Sequence, residues 1–414
     1  MVTFRKGILK VNLNALQRAK LFYEIAFLAN IVIIFTMYTV TAAASVAAIV
    51  MFIASILVVM ERNRSQAVIP YVTIWYLLLI GFGALSGLWA QYLSSYNFSF
   101  ILRLLVILLI STSVAVYVDE PEDLERIITL YLIGMLAIVA FETSVWPPSQ
   151  WKYGSLGSHY SLCNPNDISY WMDFGVAMAF YRAYVKNKKY MYPVAALLFL
   201  FCVYSSSRKG LLAAVAGPLA IVFLTYNKRG YIARIIVAVL CVIGVYFLVM
   251  ENETLYSVIG RRIESMINHI NGEETDGSMM LRGVFVDAAK NMFAESPLIG
   301  KGMGNFRSII EAEYATGKYY THNNYWQLLS ELGIIGFIIY YSMYAYCFVI
   351  FARNYLQRRS QMSILFLTCI VLMFVLDEGV VSYCSKYGQL VVAIMYAATY
   401  TSSVREYGSR NLGR

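Results

Sequence analysis

Runs of about twenty apolar residues recur from one end of this chain to the other, separated by short polar breaks. Such a run, wound at 1.5 Å per residue, spans the ~30 Å hydrocarbon core of a bilayer, and in lipid a helix satisfies its own backbone. The pattern predicts twelve helices, at 21–38, 43–60, 67–87, 98–118, 127–146, 168–185, 190–206, 210–227, 232–250, 325–352, 362–376 and 385–402. The expected fold is an all-α polytopic membrane protein. Its one long interruption, 251–324, is expected to be a large, partly helical outer loop between the ninth and tenth helices.

That loop has its own periodicity. Leu281, Phe285, Ala288, Ala289 and Met292 recur at helical spacing after Ser278, a plausible cap. Pro297-Leu298-Ile299-Gly300-Lys301-Gly302-Met303-Gly304 then breaks the chain into a turn that backbone can approach closely, and a second helix is expected over 306–315. The turn lacks the strand–turn–helix setting of a nucleotide fingerprint.

Residues 1–20 interleave Arg5, Lys6, Lys10, Arg18 and Lys20 with Leu9, Val11, Leu13 and Leu16, which suggests an amphipathic interfacial lead-in. A cleaved signal peptide is the competing reading, but a second apolar run follows Thr41 at once, favouring a retained first helix. Lys and Arg then set the orientation. With the N-terminus inside, cytoplasmic segments collect twenty-one of the 33 Lys and Arg, while short outer segments and outer helix ends hold only Arg103, Lys152, Arg208, Lys209 and Lys386. The chain thus reads as a cytoplasmic lead-in (1–20), helices one to nine (21–250), an outer loop (251–324), helices ten to twelve (325–402) and a cytoplasmic tail (403–414).

Composition agrees: 59% of the residues are hydrophobic and 14% charged, too apolar for a soluble domain. The net charge of +9 follows from the loop bias and is no sign of nucleic acid. Most of the six cysteines lie inside apolar runs and lack metal spacing, although a disulfide between Cys163 and Cys384 stays open. Trp89, Trp146, Trp151, Trp171 and Trp326 fall on the outer side, where an interfacial belt is expected and one or two could stack on a sugar. Charged residues are scarce in the middle thirds of the helices, unlike an ion-coupled carrier.

Candidate chemistry gathers on the outer face. Arg208 sits in Ser205-Ser206-Ser207-Arg208-Lys209-Gly210, between two helices at the membrane surface. It is either a snorkelling helix end or an anion clamp, since Arg grips phosphate through two parallel bonds and the neighbouring hydroxyls can donate. Arg282 opens the first loop helix; alone it reads as a solvated residue, as do Arg261 and Arg262. His322 stands just before the tenth helix, whose N-terminal dipole disfavours the imidazolium and keeps a neutral base. Asp377 and Glu378 could orient such a base or pair with an Arg. His159 and His269 look like ordinary loop residues, and Glu273-Glu274-Thr275-Asp276 like a solvated turn.

In these residues the chain resembles the O-antigen ligase / Wzy-type O-antigen polymerase family. The resemblance is carried by Asn164-Pro165-Asn166, Ser207-Arg208-Lys209-Gly210, Arg282, the glycine-rich turn 297–306, and His322 with Gly333 and Gly336 beyond it. It implies a GT-C-like membrane glycosyltransferase that moves a glycan from undecaprenyl pyrophosphate to an acceptor hydroxyl on a glycan or glycolipid, with inversion and with neither metal nor cofactor. Arg208 and Arg282 would bind the pyrophosphate, Lys209 and Ser207 would add donors, and His322 would activate the acceptor. Gly333 and Gly336 would let the tenth helix pack closely on a neighbour. The resemblance places the protein in a bacterial cytoplasmic membrane, both termini inside and the active site outside. A flippase or transporter of lipid-linked oligosaccharide is the rival; it predicts midplane charges and related halves. A membrane scaffold is the other, with no use for clustered outer Arg and His.

The orientation is testable. In a background without native cysteines, a cysteine at Asn271 should react with a membrane-impermeant maleimide in intact cells and one at Asn187 should not. The opposite labelling pattern would invert the topology.

Overall fold

The structure, a computed structural model, describes residues 2–5, 8–11, 13–37, 41–62, 69–145, 147, 165–225, 230–271, 277–314, 317 and 319–411. Trp146, Trp151, His159, Cys163, Asn164, the acidic run 273–276 and the side chains of His269 and Ser278 lie outside the described part. Val2–Arg5 (β1) pairs antiparallel with Ile8–Val11 (β2). Helices follow: α1 (Ala15–Thr36), α2 (Thr41–Glu61), α3 (Tyr71–Leu85), α4 (Ser95–Tyr117), α5 (Pro121–Val145), α6 (Pro165–Tyr184), α7 (Met191–Tyr204), α8 (Arg208–Leu224) and α9 (Tyr231–Glu251). The loop contributes α10 (Arg261–Ile270), α11 (Gly277–Glu295) and α12 (Asn305–Glu313), and the chain ends with α13 (Asn324–Arg358), α14 (Gln361–Asp377) and α15 (Lys386–Asn411).

A helix occupies each of the twelve stretches read from the apolar runs. Among the described residues, seven are long and apolar enough to cross a membrane. The first begins earlier than the apolar run does, because Asn14 caps it: its Oδ1 accepts from Gln17 N at 2.8 Å and the Gln17 side chain accepts from Asn14 N at 3.0 Å. Basic side chains then cross-tie one end of the bundle. Lys20 and Arg62 both reach Asp123, at 2.5 and 3.0 Å, while Arg126 pairs with Glu24 at 2.6 Å and Arg182 with Glu125 at 2.9 Å. These contacts gather residues 20–24, 62, 123–126 and 182 at one end, as alternating crossings require.

The interior is built mainly by α6, α14 and α15, whose side chains are buried along most of their length. Trp171 lies inside it at 1% exposure, so it belongs to the core and not to an interfacial belt. Asp173, also on α6, is a buried acid among the helices; the Cys202 thiol donates to it at 3.3 Å. In contrast, only 6% of the apolar window of α9 is buried, so that helix is exposed nearly all round.

The helix bearing the site is broken. Within α13, Gly333 has φ 63° and ψ −167°, which opens the hydrogen bonds that would join 330 to 334 and 331 to 335. All four freed groups find partners in the glycine-rich turn: Lys301 N donates to Ser330 O at 2.9 Å, Gly302 N to Glu331 O at 2.8 Å, Ile334 N to Pro297 O at 2.8 Å and Ile335 N to Leu298 O at 3.1 Å. The approach leaves no room for a side chain: a Cβ on Gly300 would lie 2.3 Å from the Glu331 carbonyl carbon, and one on Gly333 2.3 Å from that of Leu298. The expected role of these glycines is thereby corrected. Gly333 admits the glycine-rich turn instead of a neighbouring helix, and a Cβ on Gly336 would meet Leu332 of its own helix.

Further bonds hold the turn on its other side. Met303 N donates to Ser86 Oγ at 2.9 Å, and Asn97 Nδ2 to Met303 O at 2.6 Å. The buried Glu331 carboxylate adds a third tie, accepting from Gln327 Nε2 at 2.6 Å, Tyr383 OH at 2.6 Å and Phe306 N at 3.3 Å. Gly333→Ala is expected to lower the thermal midpoint in detergent markedly: φ 63° with ψ −167° is open essentially to glycine alone and costs an alanine ~1–3 kcal/mol before any clash, and the clash here is with backbone. Gly244→Ala, with nothing within 4 Å of its Cβ, should leave the midpoint unchanged or slightly raised.

Candidate functional site

Three segments meet at the end of the bundle opposite the ion pairs of Asp123, Glu24 and Glu125. The first is the turn into α8. Ser206 adopts φ 57°, and Ser205, Ser206 and Ser207 are all buried. Their hydroxyls hold the turn together: Ser205 Oγ donates to Cys202 O at 2.7 Å, Ser206 Oγ to Val258 O at 2.6 Å, and Ser207 Oγ to Asn166 Oδ1 at 2.9 Å while accepting from Gly210 N at 3.2 Å. Ser207 is therefore the cap of α8 and not the free phosphate donor expected from its position. The turn aims the next two residues outward. Arg208 stays half-exposed, with Nη1 3.5 Å from the Arg262 carbonyl. Lys209 Nζ donates to the Glu378 carbonyl.

The second segment is α11. Phe285, Ala288, Ala289 and Met292 pack on Phe306, Ile309 and Ile310 of α12, with Trp326 against the cluster. Leu281, expected on this face, is instead 46% exposed. Burying that face turns Arg282, Val286 and Lys290 toward α13.

The third segment, 320–323, leads into α13. Thr321 N donates to Gln327 Oε1 at 2.9 Å, and Thr321 Oγ1 donates to Asn323 O at 2.6 Å. Asn323 Oδ1 caps α13 by accepting from Trp326 N at 3.1 Å, and its Nδ2 donates to Glu378 Oε2 at 2.8 Å. Between these two anchored residues His322 is held at φ 56°, its ring centroid 4.0 Å from that of Tyr320.

Together the segments enclose a pocket of about 370 Å³ lined by Lys209, Arg282, Lys290, His322, Trp326 and Glu378 among others. The structure thus brings Arg282, Lys209 and His322 to one cavity and leaves Arg208 beside Lys209, outside the lining. Asp377 does not line the pocket; it is buried, accepting from Tyr341 OH at 2.8 Å and Asn324 Nδ2 at 3.3 Å.

The electrostatics of His322 follow from this placement. Its pKa is pushed down to about 4, first by burial and then by the positive charges of Arg282, Lys209 and Arg307. Neutrality thus comes chiefly from desolvation and neighbouring cations, not from the helix end invoked above. Nδ1 is buried without a hydrogen-bond partner.

Arg307 was not singled out from the sequence. On α12, its guanidinium lies 5.4 Å above the Tyr320 ring and 5.8 Å from those of Tyr96 and Phe100. The available signal was its position, one residue beyond Gly302-Met303-Gly304-Asn305-Phe306 in a turn already marked for close backbone approach.

A family model described as O-antigen ligase matches residues 193–341, a stretch containing Arg208, Lys209, Arg282, Arg307 and His322. No curated protein matches the chain.

The imidazole can be titrated directly. With His159 and His269 changed to Asn, His322 is the last of the three histidines, and carbethoxylation follows its neutral fraction. Its rate should be half-maximal near pH 4, against ~6.5 for an unperturbed histidine. Arg282→Ala should move that midpoint upward. A midpoint near the unperturbed value in the background that keeps only His322 would refute the account of its environment.

Proposed function

We propose that this member of the O-antigen ligase / Wzy family, carrying the family's domain at residues 193–341, moves a glycan from undecaprenyl pyrophosphate to an acceptor hydroxyl. The transfer takes place at the outer face of the cytoplasmic membrane, inverts the anomeric centre and needs no metal. The observation that carries the reading is a neutral histidine in one pocket with Arg282 and Lys209.

The pocket supplies what this reaction requires. As the acceptor oxygen bonds to the anomeric carbon, the bond to the pyrophosphate oxygen breaks and negative charge grows on the leaving group. Arg282 and Lys209, with Arg208 at the edge, neutralise that charge in a site partly withdrawn from water, where fixed charges act strongly. His322 takes the proton of the attacking hydroxyl. The same cations that hold His322 neutral weaken it as a base. A bound pyrophosphate offsets their field, so the imidazole pKa rises toward its ordinary value once the donor is in place. Trp326 offers an aromatic face in the pocket wall for a sugar ring.

The transporter reading gains one acid from Asp173, which lies among helices; but the thiol of Cys202 already occupies it, and it is not in the lining of the cationic pocket. Chemistry at the outer mouth accounts for more of the charged side chains.

Reconstituted protein should transfer a labelled glycan from the lipid pyrophosphate donor. His322→Gln should lose ~10²–10⁴ in turnover, the usual share of a general base, while still binding donor. Arg282→Lys should lose most activity through weaker donor binding, because a point charge cannot replace the planar fork. Wild-type turnover in His322→Gln would remove the base, and normal donor affinity in Arg282→Lys would remove the clamp.

A further inference from the structure

At the other end of the bundle, beside the ion pairs of Glu24 and Glu125, lies a cavity of about 740 Å³. The start of α5, the end of α6, the last turns of α13 and the start of α14 wall it. Five cations line it, Arg126, Arg182, Lys186, Lys188 and Arg358, against two carboxylates, Glu122 and Glu125. The acids do not balance them. Glu125 is taken by Arg182, whose Nη2 donates to Glu125 Oε2 at 2.9 Å and to the Glu125 carbonyl at 2.7 Å. Among the described residues neither Lys186 nor Lys188 is ion-paired; the pairs found use Lys20, Arg62, Arg126, Arg182, Lys290 and Lys301. Arg182 is only 3% exposed, yet its Nε is buried without a hydrogen-bond partner. One face of α5 leads away from the cavity. Glu122, Arg126 and Thr129 line the cavity, and Ile133, Leu136, Ala137 and Ala140 continue the same face at helical spacing, all of them exposed or half-buried.

Like charges crowded around one cavity repel one another, and a buried donor without an acceptor has a cost of its own. A bound anion relieves both. A small soluble anion uses the cations and leaves the apolar stripe of α5 bare, whereas a phosphate head joined to hydrocarbon chains uses the two together. We propose that this cavity seats the phosphodiester head group of an anionic phospholipid, with its acyl chains lying along Ile133 and Ala140 of α5. Basic pockets between membrane helices draw such head groups from the adjoining leaflet. On the orientation expected from the Lys and Arg bias, that leaflet is the cytoplasmic one, across the membrane from His322. The inference does not rest on the transferase reading, because the cavity shares no lining residue with the pocket of Arg282 and His322.

Native mass spectrometry of the full chain in detergent, titrated with dioleoyl phosphatidylglycerol or dioleoyl phosphatidylcholine, tests this apart from turnover. Wild type should retain phosphatidylglycerol in clear preference to phosphatidylcholine; equal affinity for the two would overturn the site. Lys186→Gln/Lys188→Gln should weaken phosphatidylglycerol binding about tenfold or more, the loss expected for two basic side chains near an anionic head group. Lys186→Arg/Lys188→Arg, which keeps both charges, should bind as wild type does. Arg358→Gln, which acts from a different helix, should weaken the same binding. Wild-type affinity in the Lys→Gln pair and in Arg358→Gln would place the bound lipid elsewhere on the chain and defeat the proposal. Glycerol phosphate should displace the lipid only at much higher concentration, since it gains nothing from the stripe on α5; equal potency would replace the lipid by a soluble phosphate. Dihexanoyl phosphatidylglycerol should bind more weakly than the dioleoyl lipid, and equal affinity would likewise sink the lipid assignment. Displacement by a glutamate-rich peptide at concentrations below those of the lipid would reassign the cavity to a protein partner.

Discussion

A backbone N–H or C=O left unpaired away from water is costly, and more so in a membrane where nothing else can bond it. Breaking α13 at Gly333 exposes four such groups, and the turn 297–302 pairs all of them. The rest of the site-bearing face depends on that exchange. The turn lies between α11 and α12, so docking it fixes both helices against the start of α13. Arg282 rides on the first, Arg307 on the second, and His322 stands at the third. One backbone junction thereby sets the relative positions of three side chains drawn from widely separated stretches. Gly300 and Gly333 are required because each backbone must come closer to the other than a Cβ permits.

The site concentrates positive charge where a protein would ordinarily avoid it. Lys209, Arg282 and Lys290 line one cavity and Arg103, Arg307 and Lys386 the next. The nearby carboxylates are mostly engaged: Glu331 is enclosed by Gln327, Tyr383 and the Phe306 amide, Asp377 by Tyr341 and Asn324, Glu378 by Asn323, and Asp287 by Lys290. Keeping Glu331, Asp377 and Glu378 occupied with neutral partners preserves the field of Arg282 and Lys209. Rigidity around His322 comes from the same source, since Thr321 and Asn323 on either side are each fixed by amide and hydroxyl bonds.

The helices were legible because the demand of lipid for a self-satisfied backbone writes long apolar runs. Which runs form the interior was not: α9 is as apolar as any, yet it lies outside the interior, while α6 carries Asp173 in the core. Arg282 and His322 stood out through the family resemblance together with the helix spacing of the loop. Ser207 was misjudged because a serine hydroxyl takes whichever partner is nearest, and Asn166 arrives only through the fold. Gly333 was misjudged for a similar reason. A glycine inside an apolar run looks like a packing notch, and its left-handed φ is set by a turn thirty-odd residues upstream. Arg307 acquires its meaning only when Tyr320 and Phe100 are brought beneath it.

The ion pairs at the opposite end of the bundle have a consequence for biogenesis. Lys20, Arg62, Arg126 and Arg182 are among the residues whose bias argues for the orientation of the chain. In the folded state each is also paired, with Asp123, Glu24 or Glu125. Acidic residues carry little weight in deciding which way a helix inserts, whereas basic ones carry much. The same cations are thus read twice, by the insertion machinery while the helices are still separate and by the acids once α1, α2, α5 and α6 assemble. Removing an acid should leave the chain threaded correctly but loosely closed; removing its basic partner disturbs both steps at once.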